Sequence, residues 1–366
     1  LITLKKITLS NIKDMDKKKK LIFSLGIKNR KTINLINSNK TQSKLLDNIW
    51  EWNDNTNFKP IELTVALPAL NAKKIIWLAL ESLKNQTDIT FAWELIVFEE
   101  EGVSKEIVIS YAGLLPGCVK IIYKTITKYD AYYKIEDIKK NNCTSYYTLL
   151  EKWINMARIA DKNSKIFVKH AVDCYSPPKR LNIHYEHFKK NKMCYYSTQP
   201  KGYFYNINLN KYFLYDGIRI EPYNWKSYHL HNNLKYQGYP YNKDIIFRGC
   251  HLNMALRTNI IKLIKLPKYP IRAGLDGYIL YNISKIIGIS PEQQKIIFTD
   301  GEIDKENWKY SLDTDGFNNI SKKRSLFYNK YDKINKPHCI PIEDMDINEN
   351  VIPDYIMKKL ELMKFE

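Results

Sequence analysis

The first shortage in this chain is of acid: 39 Asp and Glu stand against 58 Lys and Arg, a net charge of +19 at pH 7. Such a surplus ordinarily points to a polyanionic partner. Here it is mostly Lys scattered among abundant Asn, Ile and Tyr, the mark of a bias toward A- and T-rich codons, and no nucleic-acid-binding module accompanies it. Nucleic acid is left open rather than indicated, and a nucleotide diphosphate is an anion that would suit the same surplus. Long apolar runs are missing too: none approaches the roughly 18 residues of a membrane span. Cysteine pairs are absent. Cys118, Cys143, Cys174, Cys194, Cys250 and Cys339 lie far apart with no C-x-x-C among them, unlike a zinc site or a small disulfide scaffold. Reduced thiols in a cytoplasmic setting are expected, while the start at Leu1 leaves the amino end silent on targeting. There is no P-loop, no G-x-G-x-x-G and no G-x-S-x-G, and no internal repeat or Gly/Ser linker.

What is present is the material of a core: 44% hydrophobic and 13% aromatic residues over 366 positions, enough for two domains or one elaborated α/β domain. Residues 1–58 are rich in Lys and Asn and read as an extension that packs on the main domain near Ile49-Trp50-Glu51-Trp52; the run Lys17 to Lys20 reads as a solvated face. Residues 62–68 predict a strand stopped by Pro68. A helix over 72–85 follows, stacking Ile76, Leu80 and Leu83 at i, i+4 and i+7. The pattern continues with a strand at 93–98, a helix at 103–114 and a strand at 119–123. Next come a helix at 145–160, with Leu150, Trp153, Ile154 and Ala157 on one face, and a strand at 165–168. Strands alternating with helices mean an α/β domain with a largely parallel sheet. From Cys194 the chain turns Tyr-rich, which suits β-structure. A helix at 275–287 and a terminal helix at 353–364 complete the reading.

The most informative stretch is 165–181, KIFVKHAVDCYSPPKRL. A short buried strand ends there in a single carboxylate, Asp173, and Ser176 ahead of Pro177 and Pro178 opens a helix. Ligands of open α/β sheets bind at strand carboxyl ends, where Asp173 would lie. The same residue also reads as a loop carboxylate capping the helix.

Taken together, the motifs resemble family 2 glycosyltransferases of the GT-A fold. ELTVALPALNAKKIIWLALESLKNQT is similar to the family's opening strand, its Pro-x-x-Asn and a helix closing on Ser-Leu-x-x-Gln-Thr. WELIVFEEEG is similar to the second strand, Trp153-Ile154-Asn155 to the Asn-containing helix before the metal motif, and HAVDCYSPPKRL to the Asp-x-Asp-Asp segment with its Pro-x-Arg-Leu. Arg272-Ala273-Gly274-Leu275-Asp276-Gly277 resembles the late segment that includes the catalytic base. The resemblance covers residues 60 to 290, in order. It implies a mixed, mostly parallel, Rossmann-like sheet flanked by helices. The expected division is an amino extension (1–58), a catalytic domain (59–298) and a carboxyl extension (299–366). Within the domain, 59–192 would bind the nucleotide sugar and 193–298 the acceptor.

The resemblance further implies an inverting transfer of a sugar from a nucleotide-sugar donor to a glycan or other hydroxyl acceptor. Asp276 would be the base, since the incoming hydroxyl needs a carboxylate within reach. Pro68, Ala69, Asn71, Glu99, Glu100, Glu101, Asn155 and Asp173 would line the donor site. Mn²⁺ or Mg²⁺ would sit on Asp173, with His251 as a late ligand. The chain departs from the pattern in three motifs: Ala171 stands where the first metal Asp belongs and Cys174 follows Asp173, Leu275 replaces a Glu beside Asp276, and Glu99, Glu100 and Glu101 replace aspartates with one residue extra. A binding protein that has lost turnover is therefore the alternative, and a basic nucleic-acid binder the second. Asp276 also reads as a first-turn carboxylate favoured by the helix dipole. His184 and His187, one turn apart, read as a solvated or half-buried pair, and His229 and His231 lack a third ligand nearby. The tyrosines of 195–215 read mostly as packing.

Overall fold

The structure is a computed structural model that describes residues 48–57, 59–141, 143, 145–192, 194–199, 201–206, 211–216, 250–271, 275–288, 312–315, 339–342 and 353–362. Four strands run parallel: β2 (Ile61–Leu70), β3 (Ala92–Glu100), β4 (Cys118–Ile126) and β5 (Ile166–Lys169), in the order β4-β3-β2-β5. Their near-continuous apolar runs are what strands covered on both faces require. β1 (Ile49–Asn53) adds antiparallel to β4 at one edge, so the expected packing around Trp50 and Trp52 is an edge strand. Beyond β5, β10 (Cys250–Arg257) and β7 (Tyr196–Gln199) extend the sheet antiparallel to seven strands. A smaller sheet has the order β12-β9-β8-β11-β6. Its strands are β6 (Cys174–Tyr175), β8 (Lys201–Asn206), β9 (Lys211–Asp216), β11 (Leu312–Asp315) and β12 (Cys339–Ile342). The architecture is α/β with a mixed, mostly parallel, Rossmann-like sheet flanked by helices.

Side-chain alternation along the central strands sorts the core onto two faces. Leu63, Val65 and Leu67 of β2 and Trp93, Leu95 and Val97 of β3 pack against α1 (Ile76–Lys84), α2 (Lys105–Ile109) and α5 (Arg180–Lys190). Ala66, Ile96, Phe98 and Phe167 face the other way, toward α4 (Leu149–Ile159), α6 (Thr258–Ile261) and α7 (Leu275–Ile287). The stacked Ile76, Leu80 and Leu83 are all buried, as the spacing predicts. The last helix, α8 (Asp354–Leu362), buries Ile356 and Leu360 in the first core and sets Lys359 over the ring of Trp77. A short helix, α3 (Ile135–Lys140), lies between β4 and α4. No helix among the described residues is long and apolar enough to cross a membrane.

Some element ends differ from the sequence reading. Pro68 does not stop its strand: β2 continues to Leu70, with Pro68 opposite Phe98. Ala66 accepts the His170 N–H at 2.9 Å on the β5 side, where β5 then ends. Pro68, two residues on, turns its missing N–H to that same open side, and proline is tolerated where no ladder partner waits. The helix expected at 103–114 is only five residues long, because Ser104 is held by Glu99 and turns bearing Gly113 and Gly117 follow. α4 begins at the Thr148 cap, whose hydroxyl accepts the Glu151 N–H at 3.3 Å.

Candidate functional site

In a doubly wound sheet the ligand crevice opens at the carboxyl ends where strand order reverses. That point lies between β2 and β5, since β3 and β4 follow β2 outward on one side and β5 returns on the other. Ala69, Leu70 and Asn71 rim it from β2. Asn71 is exposed with φ 46°, a left-handed turn that Asn tolerates.

The glutamates at the end of β3 part company, Glu99 and Glu100 by the same alternation and Glu101 by the turn that follows the strand. Glu99 points to the α1 face and is fully buried. It accepts the Ser104 N–H at 2.8 Å, the Ser104 hydroxyl at 2.7 Å, the Ala72 N–H at 3.3 Å and the Tyr123 hydroxyl. It therefore ties the entrances of α1 and α2 to β4. Glu100 points to the α4 face and pairs with Lys152 at 2.8 Å while accepting the Ser145 hydroxyl. Lys152 also donates to the Ala69 carbonyl at 2.8 Å, and burial lowers its pKa. Glu101 is exposed, with φ 71°, ahead of Gly102 at φ 69°. A Cβ on Gly102 would come 2.7 Å from Thr125 Oγ1, so glycine is required in this turn.

One residue before Lys152, Glu151 accepts the Tyr132 N–H at 2.6 Å, and burial pushes its carboxyl up to about 8. Its Oε2 meets no donor among the described residues. Asn155, a turn further along α4, bonds the Tyr147 hydroxyl and accepts from Arg158 at 3.0 Å.

At the end of β5 the buried Lys169 places Nζ 3.6 Å from the centre of the Trp153 ring and 3.6 Å from Met254 Sδ. His170 heads a buried relay. Arg180 donates to its Nδ1 at 3.0 Å, to the Ser176 hydroxyl at 2.7 Å and to the Lys169 carbonyl. The Ser82 hydroxyl gives its proton to the Ala79 carbonyl at 2.7 Å, so the imidazole N–H donates from Nε2 to Ser82 at 3.1 Å. Burial and then the Arg180 charge push the His170 pKa down to about 3, which keeps the ring neutral. Ala171, Val172 and Asp173 cross above this brace, and Asp173 is half-buried with the Cys174 thiol 3.9 Å away.

The far side of the loop is fastened by Gln86. Its amide donates to the carbonyls of Pro177 at 2.8 Å and Ser82 at 3.0 Å, and its oxygen accepts the Leu181 N–H at 3.0 Å. Thr87 N–H bonds the Pro178 carbonyl at 2.7 Å. The Gln-Thr and Pro-x-Arg-Leu segments thus form one joint, which closes the carboxyl side of the Asp173 loop.

Other expected residues fall elsewhere or outside the described atoms. Asp276 is the second residue of α7, between Leu275 and the buried Tyr278 and Ile279; its side chain lies outside the described atoms. β10 runs antiparallel to β5, so its leading residues, His251 among them, lie at the end that Asp173 follows; the His251 side chain is likewise outside. His229 and His231 fall outside the described residues, as do the side chains of Tyr203, Tyr205, Tyr212 and Tyr215, while Tyr196 is buried. His184 is not solvated: it is fully buried with Nδ1 3.0 Å from the Ser197 hydroxyl, while His187 turns to the Cys194 thiol at 3.3 Å. Among the described residues no three His, Cys, Asp or Glu side chains converge as a metal site. Sequence reasoning missed Glu151, Lys152 and His170. The Thr148-x-x-Glu151 box ahead of the Leu149 to Ile159 run was the available sign for the first.

This is an α/β domain whose carboxyl edge carries a hydrogen-bonded set of strand ends and loops. The chain matches no protein-family model and no curated protein sequence. Among solved structures it is similar to residues 1–349 of S. aureus TarS in complex with UDP-GlcNAc (14% identity, TM-score 0.36, 72% of this chain and 61% of that chain). It is also similar to the same TarS segment with UDP (11%, 0.37, 83% and 71%) and to mouse xyloside xylosyltransferase 1 in its apo form (12%, 0.35, 69% and 85%). The chain spans 33%, 55% and 61% of the first three TarS structures it matches. None of these likenesses assigns a ligand or reaction to this chain.

Proposed function

We propose that the chain is a glycosyltransferase that moves a sugar from a nucleotide-sugar donor to a hydroxyl acceptor. The observation that carries this reading is Asp173, half-buried on a braced loop at the switch point of the sheet, beside the ends of β2 and β3. Asn71 and Glu101 are exposed on the same rim and are the groups that reach the donor. Glu99, Glu100 and Lys152 act behind them by fixing the backbone. Pro68, Ala69 and Asn155 complete the donor side. Asp276 takes the acceptor's proton as the glycosidic bond to the diphosphate breaks and the new bond forms from the opposite face, giving inversion.

For a divalent cation the donor set is thin: one carboxylate, Asp173, next to Ala171, with no triad of ligands among the described residues. This fits Mg²⁺ or Mn²⁺ only as an ion that arrives with the donor and keeps phosphate oxygens and water as ligands, with His251 at the same edge. Such an ion would offset the charge of the departing diphosphate.

The decisive variant is Asp276→Asn. It should reduce transfer by at least about 10²-fold while donor affinity stays near wild type, the signature of a lost general base. Full turnover by the variant overturns the assignment of the base. A second reading, a binding protein without turnover, is favoured by Ala171 and Leu275 standing where the family has acids. Wild-type protein that binds UDP-sugars but releases no nucleotide at saturating Mn²⁺ would establish it.

A further inference from the structure

The segment 127–134 that follows β4 carries two tyrosines that are more than half exposed: Tyr129 at 60% and Tyr132 at 59%. Aromatic surface left in water on a slack loop needs no explanation, but this loop is pinned. The Thr127 N–H and hydroxyl both bond Asp130 at 2.9 Å, and Lys124 pairs with Asp130 at 3.5 Å. The Tyr132 N–H is held by the buried Glu151, the Tyr133 hydroxyl donates to the Pro267 carbonyl at 2.9 Å, and Tyr146 fastens the Ile126 carbonyl at 2.9 Å. Tyr133 then meets the Tyr132 ring edge to face, with centroids 5.0 Å apart at 88°. Tyr132 is thus presented from a rigid base with most of its surface uncovered.

Position says what it meets. β4 runs parallel to β2, β3 and β5, so this loop lies on the same carboxyl edge as Asp173. From β5 across β2 and β3 to β4 is three strand spacings, about 14 Å. A donor whose sugar and diphosphate lie at Asp173 and whose ribose crosses the ends of β2 and β3 brings its base to β4. Resting on the donor reading above, we infer that Tyr132, flanked by Tyr129, is the stacking platform for the nucleobase of the donor. Stacking on an aromatic ring tolerates any base, because every base has a π-face. The platform supplies affinity for nucleotides as a class, and discrimination among bases falls to the polar rim.

The test is calorimetric titration of the full chain with UDP, GDP and inorganic pyrophosphate. In wild type both nucleotides should bind more tightly than pyrophosphate. Tyr132→Ala should weaken both by on the order of 10- to 100-fold and leave pyrophosphate unchanged. Tyr132→Phe should restore binding, and Tyr129→Ala should show a smaller loss. Undiminished nucleotide binding by Tyr132→Ala, or an equal loss for pyrophosphate, overturns the inference and leaves the transferase reading in place. Wild-type protein that binds none of the three overturns the donor reading itself.

Discussion

At the amino end of β3, Glu94 takes two donors on one oxygen, the Thr64 hydroxyl and the Asp161 N–H, each at 2.7 Å, and its other oxygen meets no donor among the described residues. Burial raises its pKa against the opposing pull of those donors and of the Lys120 charge, and Thr64 in turn lies 2.6 Å from Ser164. At the carboxyl end, Glu99 takes four donors and Glu100 a buried ammonium. One strand thus buries acid at both ends, at the first bonded to a hydroxyl and a backbone N–H, at the second paired with an ammonium at 2.8 Å. A buried ion pair is an expensive way to gain stability, since an apolar substitute often does as well. Among the described residues of β3 the buried pair stands at the carboxyl end, where Lys152 also holds the Ala69 carbonyl and so fixes the backbone of β2.

The largest effect should follow from stranding one half of that pair. Lys152→Met leaves Glu100 buried beside Ser145 alone and should cost about 3–5 kcal/mol in urea unfolding. Adding Glu100→Gln should recover much of it. A double variant no more stable than the single would remove the pair from the comparison. Next comes pH. Glu151 holds its proton to about 8 when folded, against 4.5 as its ordinary value, so the folded protein binds the extra proton between those limits. Stability from this group is complete below pH 4.5 and drains away as pH rises toward 8, on the order of 1 kcal/mol per unit. Glu151→Gln should flatten that slope. His170, depressed to about 3 from 6.5, acts oppositely, with stability lost as pH falls below 6.5, and this acid limb should survive in the Glu151 variant. The smallest effect belongs to Glu94→Gln. A neutral isostere keeps both donors on one oxygen and should change stability by less than about 1 kcal/mol. A loss as large as that of Lys152→Met would erase the distinction between the two ends.

Much of this frame is legible in the sequence, because its signals are local. The strands announce themselves as apolar runs, and the stacked Ile76, Leu80 and Leu83 fix the buried face of α1. The divergence of Glu99 and Glu100 follows from strand alternation once β3 is placed, whereas the exposure of Glu101 depends on the left-handed turn that ends the strand. What stays hidden depends on chain segments far apart. Gln86 reads as a helix-terminal residue, and only the fold brings it to Pro177, 91 positions on. Nothing near Lys152 or Arg180 in sequence says that Glu100 or His170 awaits them. Pro68 misleads for the same reason: whether a proline ends a strand depends on a neighbour encoded a hundred residues later.

That proline has one more consequence. Past Ala66 the flank of β2 is a raw edge, the kind of surface on which stray strands from the same or another molecule add themselves. With its nitrogen capped by a ring, Pro68 denies such a strand the rung it would need first. The ladder beside β2 is thus closed to strand addition by covalent chemistry, at the one residue that has no hydrogen to offer.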